Sequence, residues 1–269
     1  MTRKKFIGGV SAVMAGTFVP TFAGDSDQMA AVCVKADDFF LRRDVSAMCK
    51  RLLSLKFNTV LVDVQDSLIY PSHPEIAVDR SLPADKASNI VKAWRKAGFS
   101  VVPLLDFCTA RDSWLGVYDR MVCSKPYDAL VRDLLKDAYA IFGSPRFIHI
   151  GFSDEGRSQH PSGAYAVMRQ GDLWMRYLIK TSNWVKETGS RTWAWFDYPW
   201  GMKDFLLDSP RDIVYSNFKP LDKRMAGRFA QVVKAGCDVV PFVRSNEDAA
   251  VVDKLPSSRI LGILKEVKI

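Results

Sequence analysis

Strand and helix patterns alternate along the chain, which predicts an α/β protein and specifically a (β/α)8 TIM barrel. Three observations carry that expectation. Eight short apolar runs recur along the sequence, amphipathic helical stretches separate them, and no G-x-G-x-x-G motif follows the first run. That absence deprives the competing fold, an open doubly wound sheet, of its usual ligand signature. With 269 residues, 48% of them apolar, the chain fits the roughly 250 residues of a one-domain barrel.

Taken in order, the predicted strands are Ala31–Lys35, Thr59–Gln65, Ser100–Phe107, Phe147–Phe152, Thr192–Asp197, Ile213–Phe218, Asp238–Val243 and Ile260–Leu264. The helices between them are expected over Val45–Leu55, Ala84–Ala97, Tyr127–Phe142, Leu173–Thr188, Met202–Leu207, Asp222–Lys234 and Asn246–Leu255. Gly98, Gly189 and Gly236 stand at helix ends, where a left-handed residue closes the last turn. The sequence stops five residues after the eighth strand, so the closing C-terminal helix is expected to be missing. An apolar gap between the seventh and first helices would then need cover from Asp25–Ala30 or from a second subunit in a homo-oligomer.

The N-terminus reads as a signal peptide over residues 1–23, with a single barrel over 24–269. Thr2-Arg3-Lys4-Lys5 is basic, residues 6–22 are apolar, and Thr21-Phe22-Ala23 offers small residues for cleavage. The run resembles a twin-arginine signal with Lys4 in place of the second arginine, so either that route or the general secretory one fits. Both lead to an exported protein, periplasmic or extracellular, with no stable membrane span after cleavage. A net charge of +8 without a dense basic run and interleaved aromatics argues against a nucleic-acid partner.

The five cysteines include no C-x-x-C pair, which excludes a zinc ribbon or a thioredoxin motif. Cys108 and Cys123 bracket one loop and could join in a disulfide after export, whereas Cys33 and Cys237 read as buried thiols. His73, His149 and His160 lack metal-ligand spacing, so neither a metal nor another cofactor is expected.

Chemistry is expected where strands end. His149-Ile150-Gly151-Phe152-Ser153-Asp154-Glu155 runs from an apolar strand into two adjacent acids, and a strand interior does not tolerate unpaired carboxylates. The acids therefore mark the strand's C-terminal mouth, where barrels do their chemistry, or else they cap a helix. Other strands deliver polar groups to the same rim: Asp63 and Gln65, Asp106, Asp197 with Tyr198, Ser216 with Asn217, and Arg244. Trp193 and Trp195 share a face with Asp197. Aromatic faces beside carboxylates and amides suit a saccharide, although either tryptophan could equally fill the barrel core.

The chain resembles glycoside hydrolase family 20, the β-N-acetylhexosaminidase barrels, and more closely an exported family-20-like group. The matching segments are Tyr70-Pro71-Ser72-His73-Pro74-Glu75, residues 102–107, Asp112-Ser113-Trp114-Leu115 with Tyr118 and 120–122, residues 145–155, Trp195-Phe196-Asp197-Tyr198 and Ser216-Asn217, spread over 57–246. The resemblance implies substrate-assisted hydrolysis. The 2-acetamido oxygen attacks C1, a carboxylic acid protonates the leaving oxygen, and a neighbouring aspartate steadies the oxazolinium; the family departs from the two-carboxylate scheme. It implies Glu155 as general acid and Asp154 as the orienting carboxylate, with Asp63, Asp106, His149, Trp195, Asp197, Tyr198 and Asn217 shaping the sugar pocket.

The family pattern His-x-Gly-x-Asp-Glu matches without a gap only with Ser153 at the aspartate and Asp154 at the acid; pairing Asp154 with Glu155 needs an inserted residue. Arg111 stands where a histidine is usual, Phe218 where a tryptophan is, and the tryptophan after strand eight is absent. Two alternatives follow: a degenerate barrel that binds glycan without hydrolysis, and a two-carboxylate hydrolase using Asp197 with Asp154 or Glu155.

Overall fold

The computed structural model describes residues 28–41, 44–153, 155, 169–197, 209–219, 221, 223–255 and 257–266. The signal segment 1–23, the helix expected over 202–207, and the site residues Asp154 and Tyr198 lie outside the described residues. The barrel strands are β1 (Met29–Lys35), β2 (Thr59–Asp63), β3 (Ser100–Leu104), β4 (Phe147–His149), β5 (Arg191–Trp195), β6 (Val214–Ser216), β7 in two segments (Asp238–Val239 and Phe242–Val243) and β8 (Gly262–Glu266). The helices are α1 (Ala36–Phe40), α2 (Val45–Ser54), α3 (Ala84–Lys96), α4 (Lys125–Ile141), α5 (Asp172–Thr188), α6 (Lys223–Lys234) and α7 (Asn246–Val252).

Each strand pairs in parallel with the next, and β8 pairs with β1. The ring closes through β7, whose first segment pairs with β6 and second with β8. Pro241 lies at the break. It has no N–H to donate, yet its carbonyl accepts from Leu264 N–H at 2.9 Å, so the ladder to β8 continues across it.

Alternation along the strands sorts the core into two. Inside the ring Ala31, Leu61, Val102, Trp193, Val214 and Leu264 fill the barrel. Outside it the opposite faces pack on the helices, as Val60, Val62, Ile148 and Ala194 do. Sequence-local caps set helix starts: Asp44 accepts from Ala47 N–H, Ser124 from Tyr127 N–H, and Ser245 with Asp248 forms a capping box.

The strand ends are tighter than the sequence predicts. Regular β4 ends at His149, its hydrogen bonds to the neighbouring strands run on through Ile150 and Gly151, and Gly151 and Phe152 then turn with φ of 77° and 69°. After β2 the chain turns into a 3-10 turn at Gln65–Ser67, with Gln65 at φ 33°. A short parallel ladder, Leu68–Ile69 with Leu82–Pro83, fills the loop before α3. Among the described residues no helix follows β8, and Val32, Val34 and Ile263, which face outward at the seam, are buried. All five cysteines are free in this structure, with no bond between Cys108 and Cys123, the two that could join after export. Cys108 lies within hydrogen-bonding reach of Arg111, whereas Cys123 faces Tyr177. Cys33 is half-buried and Cys237 buried. No helix among the described residues is long and apolar enough to cross a membrane.

Candidate functional site at the C-terminal mouth of the barrel

The inward alternation of β2 carries on to Asp63, and that of β3 passes through Leu104 to Asp106. These carboxylates therefore reach the same mouth from adjacent strands. Asp106 is buried and fixed from two sides: Arg111 approaches its Oδ2 at 2.7 Å, and Cys108 N–H donates to its Oδ1 at 3.1 Å. Gly151 makes this possible. A Cβ there would lie 1.9 Å from Asp106 Oδ1, so the β4 turn can pass the carboxylate only without a side chain.

Arg111 also donates to Ser153 Oγ and stacks its guanidinium 4.3 Å from the centroid of Phe218. Arg111 thus ties the ends of β3, β4 and β6 together. Asp63 accepts from Gln65 Nε2 at 2.9 Å. Burial, then the neighbouring Asp106, pushes its pKa up to about 7, against an opposing pull from Arg111. A carboxyl that titrates near neutrality beside an ion-paired one is an arrangement that can hold a transferable proton.

The opposite wall is aromatic. Trp195 is only 2% exposed, wedged 4.3 Å from the His149 ring and 6.0 Å from Phe242. Phe218, 38% exposed, stands edge-on to Trp195 and is the ring open to a ligand. Trp193 is wholly inside and donates to Ser216 Oγ, which makes it a core residue. His149 accepts from Gly151 N–H through Nδ1, leaving Nε2 as the protonated nitrogen, buried and without a partner. Burial and Arg111 hold its pKa well below the usual range, so the ring is neutral.

Two residues expected in the sugar pocket are engaged by backbone instead. Asp197 accepts from the N–H groups of Phe218 and Lys219, and burial pushes its pKa up to about 6. Asn217 donates to the carbonyls of Lys219 and Phe242 and accepts from Phe242 N–H, bridging β6 to the second segment of β7. Both build the rim rather than offer free groups to a ligand.

Glu155 does not join this mouth. It is 0% exposed, and both its oxygens are taken: Arg169 Nη2 lies 2.6 Å from Oε1, and Thr109 and the Arg169 N–H supply the other donors. Arg169 in turn donates to the Phe107 carbonyl and packs on Phe152 and Tyr177, in the outer layer between strands and helices. Burial pushes nearby Asp112 up to about 8 against the pull of Arg169. Sequence reasoning missed Arg169 because no local pattern links it to an acid 14 positions earlier. Among the described residues no cluster of three His, Cys, Asp or Glu side chains could hold a metal ion. A cavity of about 250 Å³ at the opposite end, lined by Met29, Thr59, Ser100 and Phe147, lies away from these groups.

No family model matches the sequence, and no curated protein does. Solved structures do match. A family 20 β-N-acetylglucosaminidase shares 12% identity with a TM-score of 0.63, over 88% of this chain and 63% of that one. The N-acetyl-β-hexosaminidase of Streptomyces plicatus, bound to Thio-NAglucal, shares 14% at a TM-score of 0.61, over 81% and 47%. The Vibrio harveyi exo-β-N-acetylglucosaminidase, in complex with N-acetylglucosamine, shares 13% at 0.60, over 90% and 50%. The chain thus spans about half to two thirds of the length of the proteins it matches. At these identities the likeness is one of architecture, and the chain has the fold of the glycoside hydrolase family 20 β-N-acetylhexosaminidases.

Proposed function

We propose that this chain is an exported, hexosaminidase-like glycoside hydrolase whose saccharide site is the C-terminal mouth of the barrel. One observation carries the reading: Asp63 and the Asp106–Arg111 pair stand at that mouth with the open ring of Phe218, in a barrel of the family 20 fold. The substrate class is β-linked N-acetylhexosamine or a related glycan. The substrate's acetamido oxygen attacks C1 to give the oxazolinium, a carboxylic acid passes its proton to the leaving oxygen, and water then opens the ring with that carboxylate as base.

The bond from Arg111 to Ser153 favours the gap-free register, with Ser153 in the orienting place and Asp154 in the acid's place. A slipped register would need Glu155 at the mouth, whereas its oxygens engage Arg169 and Thr109. A general acid must reach the leaving oxygen. We therefore assign the acid to Asp154 and give Glu155 a positioning role, holding the loop after β4. Ser153 with Arg111 stands in for the orienting aspartate.

The same ion pair favours a second reading, a barrel that binds glycan without cleaving it. Release of a chromogenic group from an N-acetyl-β-glucosaminide separates the two. Turnover by the natural chain that falls about 100-fold or more in Asp154→Asn supports the first reading. Equal rates in both proteins refute the acid. No turnover, with N-acetylglucosamine still bound, supports the second.

A further inference from the structure

Arg244 extends the inward alternation of β7 beyond Phe242, so its side chain starts from the ring's interior face at the mouth. Its guanidinium carbon lies 3.7 Å from the Phe242 centroid and 5.9 Å from that of Phe218, the ring on which Arg111 stacks at 4.3 Å. Two guanidinium groups thus flank one half-exposed phenylalanine at the rim.

Their partners differ. Arg111 has Asp106 at 2.7 Å. Arg244 donates through Nη2 to the Phe218 carbonyl, while its Nη1 is buried without a partner. Among the described residues no carboxylate comes within ion-pair distance of it. The nearby acids are otherwise engaged: Asp248 accepts from the N–H groups of Leu221, Arg244 and Ser245, and Asp197 from those of Phe218 and Lys219. Glu266, two residues beyond the inward Leu264 on β8, shares the interior face and pulls on Arg244 more than any other acid, but it makes no ion pair with it. Burial lowers the pKa of Arg244 and outweighs the opposing pull of Glu266, Asp248 and Asp197, none of which pairs with it directly. An unpaired guanidinium edge stacked on an aromatic face presents fixed donors for a planar or tetrahedral anion.

We propose that the mouth is an anion subsite, with Arg244 as its hydrogen-bonding anchor and Arg111 as its second cation, and that the saccharide it takes carries a carboxylate or a sulfate ester. The inference rests on the reading that the mouth binds a saccharide, and it narrows the substrate class from neutral to acidic sugars. Phe218 would carry the apolar face of the ring, and the acidic substituent would meet Arg244 Nη1, supplying the hydrogen-bond partner that this buried nitrogen lacks.

Calorimetric titration with N-acetylglucosamine, N-acetylglucosamine 6-sulfate, glucuronic acid and inorganic sulfate tests it. The expected result is affinity for at least one acidic sugar about tenfold or more above the neutral one, the scale of one charged hydrogen bond. That preference should fall to about twofold in Arg244→Gln and survive in part in Arg244→Lys, with thermal melts showing both variants folded. If Arg244→Gln does not fold, the lysine variant alone must still weaken the preference. Equal affinity for neutral and acidic sugars overturns the inference and leaves the saccharide reading standing. Binding of inorganic sulfate without any sugar overturns the saccharide reading and with it the acidic-sugar assignment, while leaving an anion site, and binding of nothing at all overturns both.

Discussion

Glu155 and Arg169 form a buried pair whose members cannot be removed singly without leaving a charge stranded. Glu155→Ala is expected to lose about 3–5 kcal/mol of stability in urea unfolding, and the double exchange Glu155→Met with Arg169→Leu to lose much less. A double variant as unstable as the single one would show that the pair itself, not the stranded charge, holds the loop. Asp63 offers a contrasting test in pH. Its folded pKa, pushed up to about 7, lies above the ordinary 3.8, so the folded chain keeps a proton that the unfolded chain has released. That contribution to stability is present at pH 4 and is lost as pH rises through about 7, opposite in sign to the usual ion-paired carboxylate. Asp197 and Asp112, raised to about 6 and about 8, add in the same direction. Asp63→Asn should therefore unfold with a flatter pH dependence between pH 4 and 8 than the natural chain, measured in parallel urea titrations. Parallel curves would mean that Asp63 is as solvated folded as unfolded. Strand-end polarity is what made Asp63, Asp106 and Asp197 legible in the sequence. Which of them would be free was not, because the donors that occupy Asp197 are backbone N–H groups of a neighbouring strand end.

At the scale of elements, the sequence marks where strands and helices begin better than where strands stop. Helix α5 spans Asp172–Thr188 against an expected Leu173–Thr188, ended by Gly189 in the left-handed region as the glycine predicts. Strand β4 was expected to reach Phe152 because Ile150 and Phe152 are apolar; Ile150 still bonds to Trp193 and Phe107 on the neighbouring strands, but Phe152 is buried in the turn that follows. Apolar periodicity reports burial, and a buried turn carries the same signal. The strand expected over Asp238–Val243 is instead broken in two, because Pro241 cannot donate to a ladder. The β4 turn is also where one added carbon should do most harm. In Gly151→Ala the new Cβ would meet Asp106 Oδ1 at 1.9 Å and Asp106 Cα at 2.7 Å, at a φ of 77°. The left-handed conformation alone costs about 1–3 kcal/mol for a residue with a side chain, and the clash would expel Asp106 from its bond to Arg111. The expected outcome is a loss of about 2 kcal/mol or more by urea unfolding, together with weaker saccharide binding. An alanine variant as stable as the natural chain would show that the turn can open without disturbing β3.

For the whole molecule, the eight-strand ring was legible because each strand is a short apolar run set between amphipathic helices, and because one consistent topology places such units side by side. What the sequence could not show is that closure depends on a single late strand. Strand β8 is the only link between β1 and the second segment of β7 among the described residues. Its inward Leu264 is fully buried in the barrel, its outward Ile263 is buried on the other face, and Gly262 lets it approach β1 so closely that a Cβ would lie 1.8 Å from the Met29 carbonyl oxygen. A closed barrel has no spare strand, and without β8 two edges with unpaired N–H and C=O groups would open beside an uncovered apolar interior. A chain ending at Leu261 should therefore lose its cooperative thermal transition by circular dichroism and bind a hydrophobic dye such as ANS. The single substitution Gly262→Val should weaken the β1 seam in the full chain and lower its melting temperature. A truncated chain that still melts cooperatively within a few degrees of the full one would mean that β1 and β7 can close the ring between themselves, and that the eighth strand is an addition to a barrel already complete.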